Sequence, residues 1–273
     1  MRVKAIQDLE LLDDGALFRE LSAGLSHISA NADAIYRGAE ILGEKGNSRG
    51  SEILSVLSEE EASKFLILID AARCPRDRLR AHLRRYYDHL AKGLYAAACY
   101  WAPETLGDLV SYVDSERQRY YLDGPNEVDW IFWNQILFNR EQTIYVDYSE
   151  TDQGHAWLAP SDAGLSPFPS MALGLVQAMN RAGFGTPRGL QIISLKWRGL
   201  HLDPHDHFQD LRERNWDTLK ACDHEGLVSE IEDKHVRAIL DHWPFPLHSV
   251  DLSLSGVDNR PDLRNVQKAW HPS

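Results

Sequence analysis

The stretch RAHLRRYYDHLAKGLYA, Arg80 to Ala96, gathers residues able to do acid–base and phosphate chemistry. Placed on a helix, His82, Arg85, His89 and Lys92 recur at three- and four-residue steps and form a cationic stripe. Leu79, Leu83, Tyr86, Leu90 and Leu94 form an apolar stripe with the same spacing, suited to a core. Histidine exchanges a proton near neutral pH, and arginine holds a phosphate through parallel N–H donors and stabilises a five-coordinate transition state. Cleavage of RNA by its own 2'-hydroxyl needs those two services and no metal. The same residues also suit a solvated basic face, with Asp88 paired to Lys92 and the histidines bonded to bundle carboxylates. Spacing alone does not choose between the two.

The rest of the composition narrows the setting. Across 273 residues, 41 acidic side chains outweigh 29 basic ones, for a net charge of -12. Such a balance argues against broad wrapping of nucleic acid, which needs a basic footprint. Yet Arg73, Arg76, Arg78, Arg80, Arg84, Arg85 and Lys92 fall in one short segment against only Asp77 and Asp88, so an RNA contact would be local. Cys74, Cys99 and Cys222 are too few and too scattered for a disulfide framework or a thiolate metal site, and read as reduced core residues. No apolar run approaches the roughly 20 residues of a membrane span, and MRVKAIQDLELLDDG lacks a signal-peptide core, so the expectation is a cytoplasmic protein without membrane contact.

The elements that would position the stripe follow from periodicity. Leu17, Leu21, Leu25, Ile28, Ala32, Ile35 and Ile41 predict one long helix from Asp14 to Leu42, or two joined near Ala30, ended by GEKGNSRG. A second helix begins at Ser48 or Ser51 and stops before Pro75, with Phe65 to Ile69 deeply buried. A third spans Arg76 to Tyr100, a fourth Glu104 to Tyr121, and a short one falls in VDWIFWNQILFNRE. After Glu141 a β-hairpin is expected from Thr143 to Leu158, then helices at Ser170 to Ala182, Arg188 to Trp197, His205 to Cys222 and Leu227 to Trp243. HSVDLSLSG alternates like a strand. The glycines of GFGTPRG follow no strand, so they do not make a dinucleotide fingerprint. The fold class is mainly α: an antiparallel helical bundle over residues 1–141, then a small β-hairpin and additional C-terminal helices over residues 142–273, packed on the same body.

Three stretches in order resemble a known family. SEEEASKFLILIDAA is similar to the Glu-Glu-x-x-Lys signature of helical HEPN-type domains, in particular those of the AbiV abortive-infection proteins. YYDHLAKG and NREQTIYVDYSETDQGHAWLAP continue the resemblance, which covers roughly Ala30 to Ala182. It implies a HEPN-like four-helix bundle and, for many members of that group, a metal-independent ribonuclease with an arginine, four to six residues and then a histidine. Arg84 and His89 enclose four residues; Arg76 and His82 enclose five. Arg84 and His89 are the catalytic pair the resemblance implies, although Arg85 shares a helix face with His89 better than Arg84 does. Lys92, Arg85, His82, Glu61 and Lys64 are supporting or RNA-binding candidates; Glu61 would orient a motif residue, or pair with Lys64 as scaffold. The resemblance further implies a homodimer with a composite cleft, RNA as substrate, no cofactor, a possible phage-encoded activator and arrest of host translation.

Two competing readings stay open. A non-catalytic HEPN-like module would use the basic stripe only to bind the translation machinery or a phage protein. HLDPHDHFQD places His201, Asp203, His205, Asp206 and His207 together, so His205 and His207 could serve a metal-dependent hydrolase with help from His224 or Asp210. The same residues also suit a helix start, with Asp203 as cap and Pro204 in the first turn. Trp101, Tyr120, Tyr121, Trp130, Phe132 and Trp133 could stack bases, but read first as core or interface.

Overall fold

The computed structural model describes residues 5–101, 103–123, 130–151, 154–160, 169–243 and 245–256. Helices dominate, as expected, and α2 (Ser48–Arg73) lies at their centre. Every residue from Phe65 to Ala72 is buried, because α1 (Asp14–Glu44), α4 (His89–Tyr100), α7 (Met171–Arg181) and α8 (Pro187–Trp197) pack around it. A helix apolar on all sides must be enclosed on all sides. α1 is one continuous helix, opened by the Asp13 cap and antiparallel to α2. Ser58 Oγ donates to the Ala32 carbonyl at 2.9 Å, and Ser51 Oγ to that of Ala39, so two small polar residues set the α1–α2 register. Toward its C-terminus the buried stripe of α1 passes to Ala39, leaving Ile41 exposed.

The expected helix over Arg76 to Tyr100 is broken. After a 3-10 turn at Arg76–Arg78, α3 spans only Leu79–Arg84, a second 3-10 turn covers Arg85–Tyr87, and Asp88 is extended. The Asp88 carboxylate accepts from the Leu90 and Ala91 amides at 2.9 and 3.3 Å and starts α4 afresh. An Asp that satisfies free amides at a helix start competes well with helix continuation. Asp88 is therefore a cap rather than the partner of Lys92, and the four-residue cationic stripe does not exist as one face.

Past α5 (Leu106–Glu116), the expected helices of residues 104–121 and 128–141 give way in part to an antiparallel pair, β1 (Tyr120–Asp123) with β2 (Trp130–Trp133). Aromatic and β-branched runs flanking a turn sequence favour this pairing over a helix. The fully buried Asn134 makes the transition: its side chain donates to the Glu116 and Gln118 carbonyls at 2.7 and 2.9 Å and accepts from the Leu137 amide at the start of α6 (Gln135–Ile144). The second hairpin lies where expected but starts later, β3 (Asp147–Thr151) against β4 (Gly154–Leu158), with Tyr148 opposite Trp157. The expected loop over Pro160 to Pro169 falls mainly outside the described residues, as do the last residues of the chain.

The GFGTPRG glycines form the α7–α8 corner. Gly183 has φ +72°, and a side chain there would collide with Leu227, while Thr186 caps α8. α9 is Phe208–His224 and α10 only Asp233–His242, since residues 227–232 are not helical and Glu230 takes a positive φ of 35°. HSVDLSLSG is no strand. After a 3-10 turn at Leu247–Ser249 it runs extended, with a single backbone bridge among the described residues, from Ser255 to Gln118, and three carbonyls are taken by guanidinium groups: Arg85 binds those of Leu247 and Val250 at 2.7 and 2.6 Å, and Arg117 that of Ser253 at 2.9 Å. Cys74, Cys99 and Cys222 are free and buried, and among the described residues no helix is long and apolar enough to cross a membrane.

This strap is anchored on a fully buried ion pair. Asp70 accepts from Arg73 Nε at 2.7 Å, Tyr95 Oη at 2.8 Å and the Leu247 amide at 2.8 Å. Arg73 lies over the rings of Trp243 and Trp197, at 3.9 and 4.7 Å, and reaches the Trp243 and Phe245 carbonyls. Burial alone would raise the Asp70 carboxyl, but Arg73 and its neighbours hold it below the usual range. Removing one partner of a buried pair strands the other, so Arg73→Ala should cost about 3–5 kcal/mol in urea unfolding, while Arg80→Ala, which loses only the exposed pair with Glu10, should cost below about 1 kcal/mol. Equal losses would refute this ranking.

Two histidines flank the same centre. His82 is buried with Nε2 2.7 Å from the Ile67 carbonyl, and its ring meets that of His248 edge-on. Burial pushes each down from 6.5 to about 4, so between these values the unfolded chain binds protons that the folded chain does not. Stability present at neutral pH is therefore lost as pH falls through that window, by at most about 1.4 kcal/mol per unit per histidine. Urea midpoints should drop from pH 7 to pH 5, and His82→Gln should flatten the drop; a wild-type midpoint constant over that range would contradict the assignment.

Candidate functional site

Breaking the helix at Asp88 divides the predicted site residues. His82 turns into the core, and Arg85 is spent on the strap. Arg84 is exposed, its Nε 3.4 Å from Gln7 Oε1. Arg76 holds the chain before α1, through the Leu12 carbonyl and Asp14. Only His89 and Lys92 remain together, one turn apart on the first two turns of α4.

They meet around Glu60, not Glu61. His89 Nδ1 is 3.0 Å from Glu60 Oε1, Lys92 Nζ donates to Oε2 at 2.8 Å, and Arg140 Nε, from α6, donates to Oε1 at 2.5 Å. Lys92 Nζ also comes within 3.1 Å of His89 Nδ1. Burial would raise the Glu60 carboxyl, but the hydrogen bonds from Lys92, Arg140 and His89 overcome it and hold the group at about 2. Glu61 pairs with Lys64, whose ammonium also lies over the Tyr86 ring, so this pair is scaffold beside the site.

A cleft of about 240 Å³ opens over this cluster, lined by Glu59, Glu60, His89, Lys92, Tyr100 and Arg140 among others. Within it Lys92 is almost wholly buried, with 4% of its side chain exposed, while His89 is 45% exposed. An ionised Glu60 can only accept, so its contact assigns the proton to Nδ1, with the Lys92 protons directed to Oε2; the imidazole then has a fixed orientation and presents Nε2 as its acceptor. A carboxylate behind the ring would also stabilise the imidazolium that forms on proton uptake. In the same cleft, burial raises the neighbouring Glu59 carboxyl above its ordinary range against a hydrogen bond from Ser170.

The arrival of Arg140 depends on close helix contact. A Cβ on Gly93 would lie 2.1 Å from Ile136 Cγ2, so α4 and α6 approach at a position where only glycine fits. Sequence reasoning missed Arg140 and chose Glu61 over Glu60. Arg140 stands in the quoted NREQTIYVDY stretch without any spacing relation to His89, and within the polar run Glu59-Glu60-Glu61 nothing in the sequence says which carboxylate faces the next helix.

The HLDPHDHFQD segment is used structurally. Asp203 Oδ1 accepts from the His205 amide at 2.9 Å, and Asp206 Oδ2 from the Asp203 amide at 2.7 Å, making a closed turn ahead of α9. The expected Asp203 cap thus serves the turn, and His207 occupies the cap position of α9 without a side-chain bond. The Asp206 and Pro204 carbonyls accept from the Leu106 and Gly107 amides, so the segment also seats the start of α5. Among the described residues no group of three His, Cys, Asp or Glu side chains lies close enough to hold a metal ion. Of the candidate stacking aromatics, Trp101 stacks on Tyr112 and Trp133 meets Tyr120; the side chains of Tyr121, Trp130 and Phe132 lie outside the described residues.

Compared with known proteins, the chain matches no curated protein and no solved structure significantly. The family model for AbiV proteins of the HEPN group matches residues 20–164, just over half of the chain and the span that carries most of α1, all of α2, α4 and α6, and the Glu60–His89–Lys92–Arg140 cluster. The chain belongs to the AbiV family of HEPN-type abortive-infection proteins.

Proposed function

We propose that this protein is an anti-phage effector that arrests host translation as a metal-independent ribonuclease, working as a homodimer in the cytoplasm. The observation that carries this reading is His89, half-exposed in a cleft beside Lys92 and Arg140 with its Nδ1 held by the ionised Glu60. In the reaction His89 Nε2 takes the proton of an RNA 2'-hydroxyl, the oxygen attacks the adjacent phosphorus, and the 5'-oxygen leaves with a proton from a second acid. A 2',3'-cyclic phosphate and a 5'-hydroxyl result. In a homodimer the second His89 supplies that acid, and Arg84, exposed and among the described residues held only by the long contact to Gln7, can reach a phosphate across the axis. Arg85, bound to two strap carbonyls, supports folding rather than RNA. A phage-encoded activator would act by opening or assembling this cleft.

A second reading rests on the same cluster. Glu60, Lys92, Arg140 and His89 form a connected charge network, which a non-catalytic module binding the translation machinery or a phage protein would also need. Incubation of total and transfer RNA with purified protein in EDTA, with oligomeric state recorded, separates the two. Wild-type dimer should cut, and His89→Ala should lose about 10²–10⁴-fold in rate while remaining a dimer. Equal cleavage by both would reject His89 as the acid or base, and no cleavage by a wild-type dimer would favour the binding module. Arg84→Ala should lower cleavage without moving the urea midpoint, whereas Arg85→Ala should lower the midpoint, with a loss of about 1–3 kcal/mol in unfolding free energy, since it strands two strap carbonyls.

A further inference from the structure

The Glu60 cluster holds a guanidinium whose donors are not all used by its own carboxylate. The half-buried Glu60 carboxylate faces two permanent cations, Lys92 and Arg140, as well as the imidazole of His89, and Glu141 pairs with the outer edge of Arg140. Lys92 occupies Oε2, while His89 and Arg140 share Oε1, so the carboxylate is satisfied without the full guanidinium. Arg140 spends Nε on Glu60 and Nη1 on Glu141, whose side chain is 46% exposed. An exposed pairing of this kind is weak and exchangeable. Nη2 has no hydrogen-bond partner among the described residues. Lys92 and Arg140 line an open cleft of about 240 Å³ beside Glu59 and Glu60, in a chain of net charge -12, where a local cationic group selects a fitted anion rather than attracting polyanions at large.

We propose that Arg140 is the guanidinium that grips the scissile phosphodiester of RNA beside His89 within the same protomer, a role that spacing in the sequence had left to Arg84 or Arg85. This rests on the ribonuclease reading for its ligand. On substrate entry Arg140 keeps Nε on Glu60 and turns its Nη edge from Glu141 to the phosphate oxygens, with Lys92 as the fixed charge behind. Gly93 makes this possible, because it lets α6 approach α4 closely enough to bring Arg140 and Lys92 to one carboxylate. Each protomer then owns a phosphate anchor, and an Arg84 from across a dimer would add to it rather than create it.

The test uses full-length protein and a short single-stranded oligonucleotide of 2'-O-methyl riboses, which binds but has no hydroxyl to attack. Fluorescence anisotropy across a salt series reads affinity and its salt slope. Arg140→Gln should weaken binding at least about ten-fold and flatten the slope of log K against log salt by about 0.7, the loss of one phosphate contact. A merely structural arginine would not change that slope. Arg140→Lys should recover the slope but not the full affinity, since a point charge lacks the fork. Unchanged affinity and slope in Arg140→Gln overturn the proposal, and so does Arg140-dependent binding of inorganic phosphate with no binding of the oligonucleotide. Should Arg140→Gln fail to fold in a circular-dichroism melt, Arg140→Lys decides: affinity equal to wild type refutes the grip, and a loss of several-fold at a wild-type melting temperature supports it. The nuclease reading fails separately: Arg140-dependent binding without cleavage of ordinary RNA keeps the anchor and removes the enzyme, while His89-dependent cleavage with normal binding by Arg140→Gln does the reverse.

Discussion

The buried contact between Asp70 and Arg73 is the constraint on which most of the architecture depends. Two full charges cannot be taken out of water unless every donor and acceptor is met, and here the partners come from distant parts of the chain. Tyr95 comes from α4, Leu247 and the carbonyls of Trp243 and Phe245 from the strap, and the Trp197 ring from α8. Because the cost of leaving any of them unmet is high, the pair fixes how the C-terminal segment closes over the bundle. Its benefit is as much in specifying one arrangement as in net stability.

The Glu60 cluster uses the same chemical ingredients with a different outcome. It too joins a carboxylate of α2 to residues of α4, with α6 as the third element, but it sits at the wall of a cleft instead of within the core. The carboxylate remains charged, the histidine is half-exposed, and the Arg140 guanidinium keeps a nitrogen without a partner among the described residues. Asp70 and Glu60 lie ten residues apart on one helix, so the deeply buried part of α2 holds the fold and its more polar part faces the cleft. Arg85 illustrates how the two are separated: only four residues before His89, it belongs wholly to the strap.

Much of the fold was legible from periodicity. The bounds of α1, α2, α7 and α8 and the existence of the second hairpin follow from apolar spacing, caps and turn residues, because those signals are local. The misreadings share a cause. Residues 76–100 carry a helical apolar pattern throughout, and only the cap formed by Asp88 divides it. The extended strap alternates like a strand, but the carbonyls of Leu247, Val250 and Ser253 find guanidinium groups, and among the described residues its backbone pairing is confined to a single bridge from Ser255 to Gln118. In both cases the pattern records which side faces the core and not what satisfies the backbone.

By itself, the sequence determined that this is a helical protein of the AbiV type, that its cations cluster around residues 73–92, and that His89 and Lys92 lie one turn apart. Those properties depend on composition, ordered motifs and local spacing. Only the tertiary structure decided that His82 is a core residue, that Arg85 binds a strap 162 residues away, and that Glu60 and Arg140 complete the His89 cleft. A histidine or arginine looks the same in sequence whether it faces water or a carbonyl. The difference is made by the residues brought opposite it, and these come from helices whose approach is set by contacts such as Gly93 against Ile136, which no local pattern encodes.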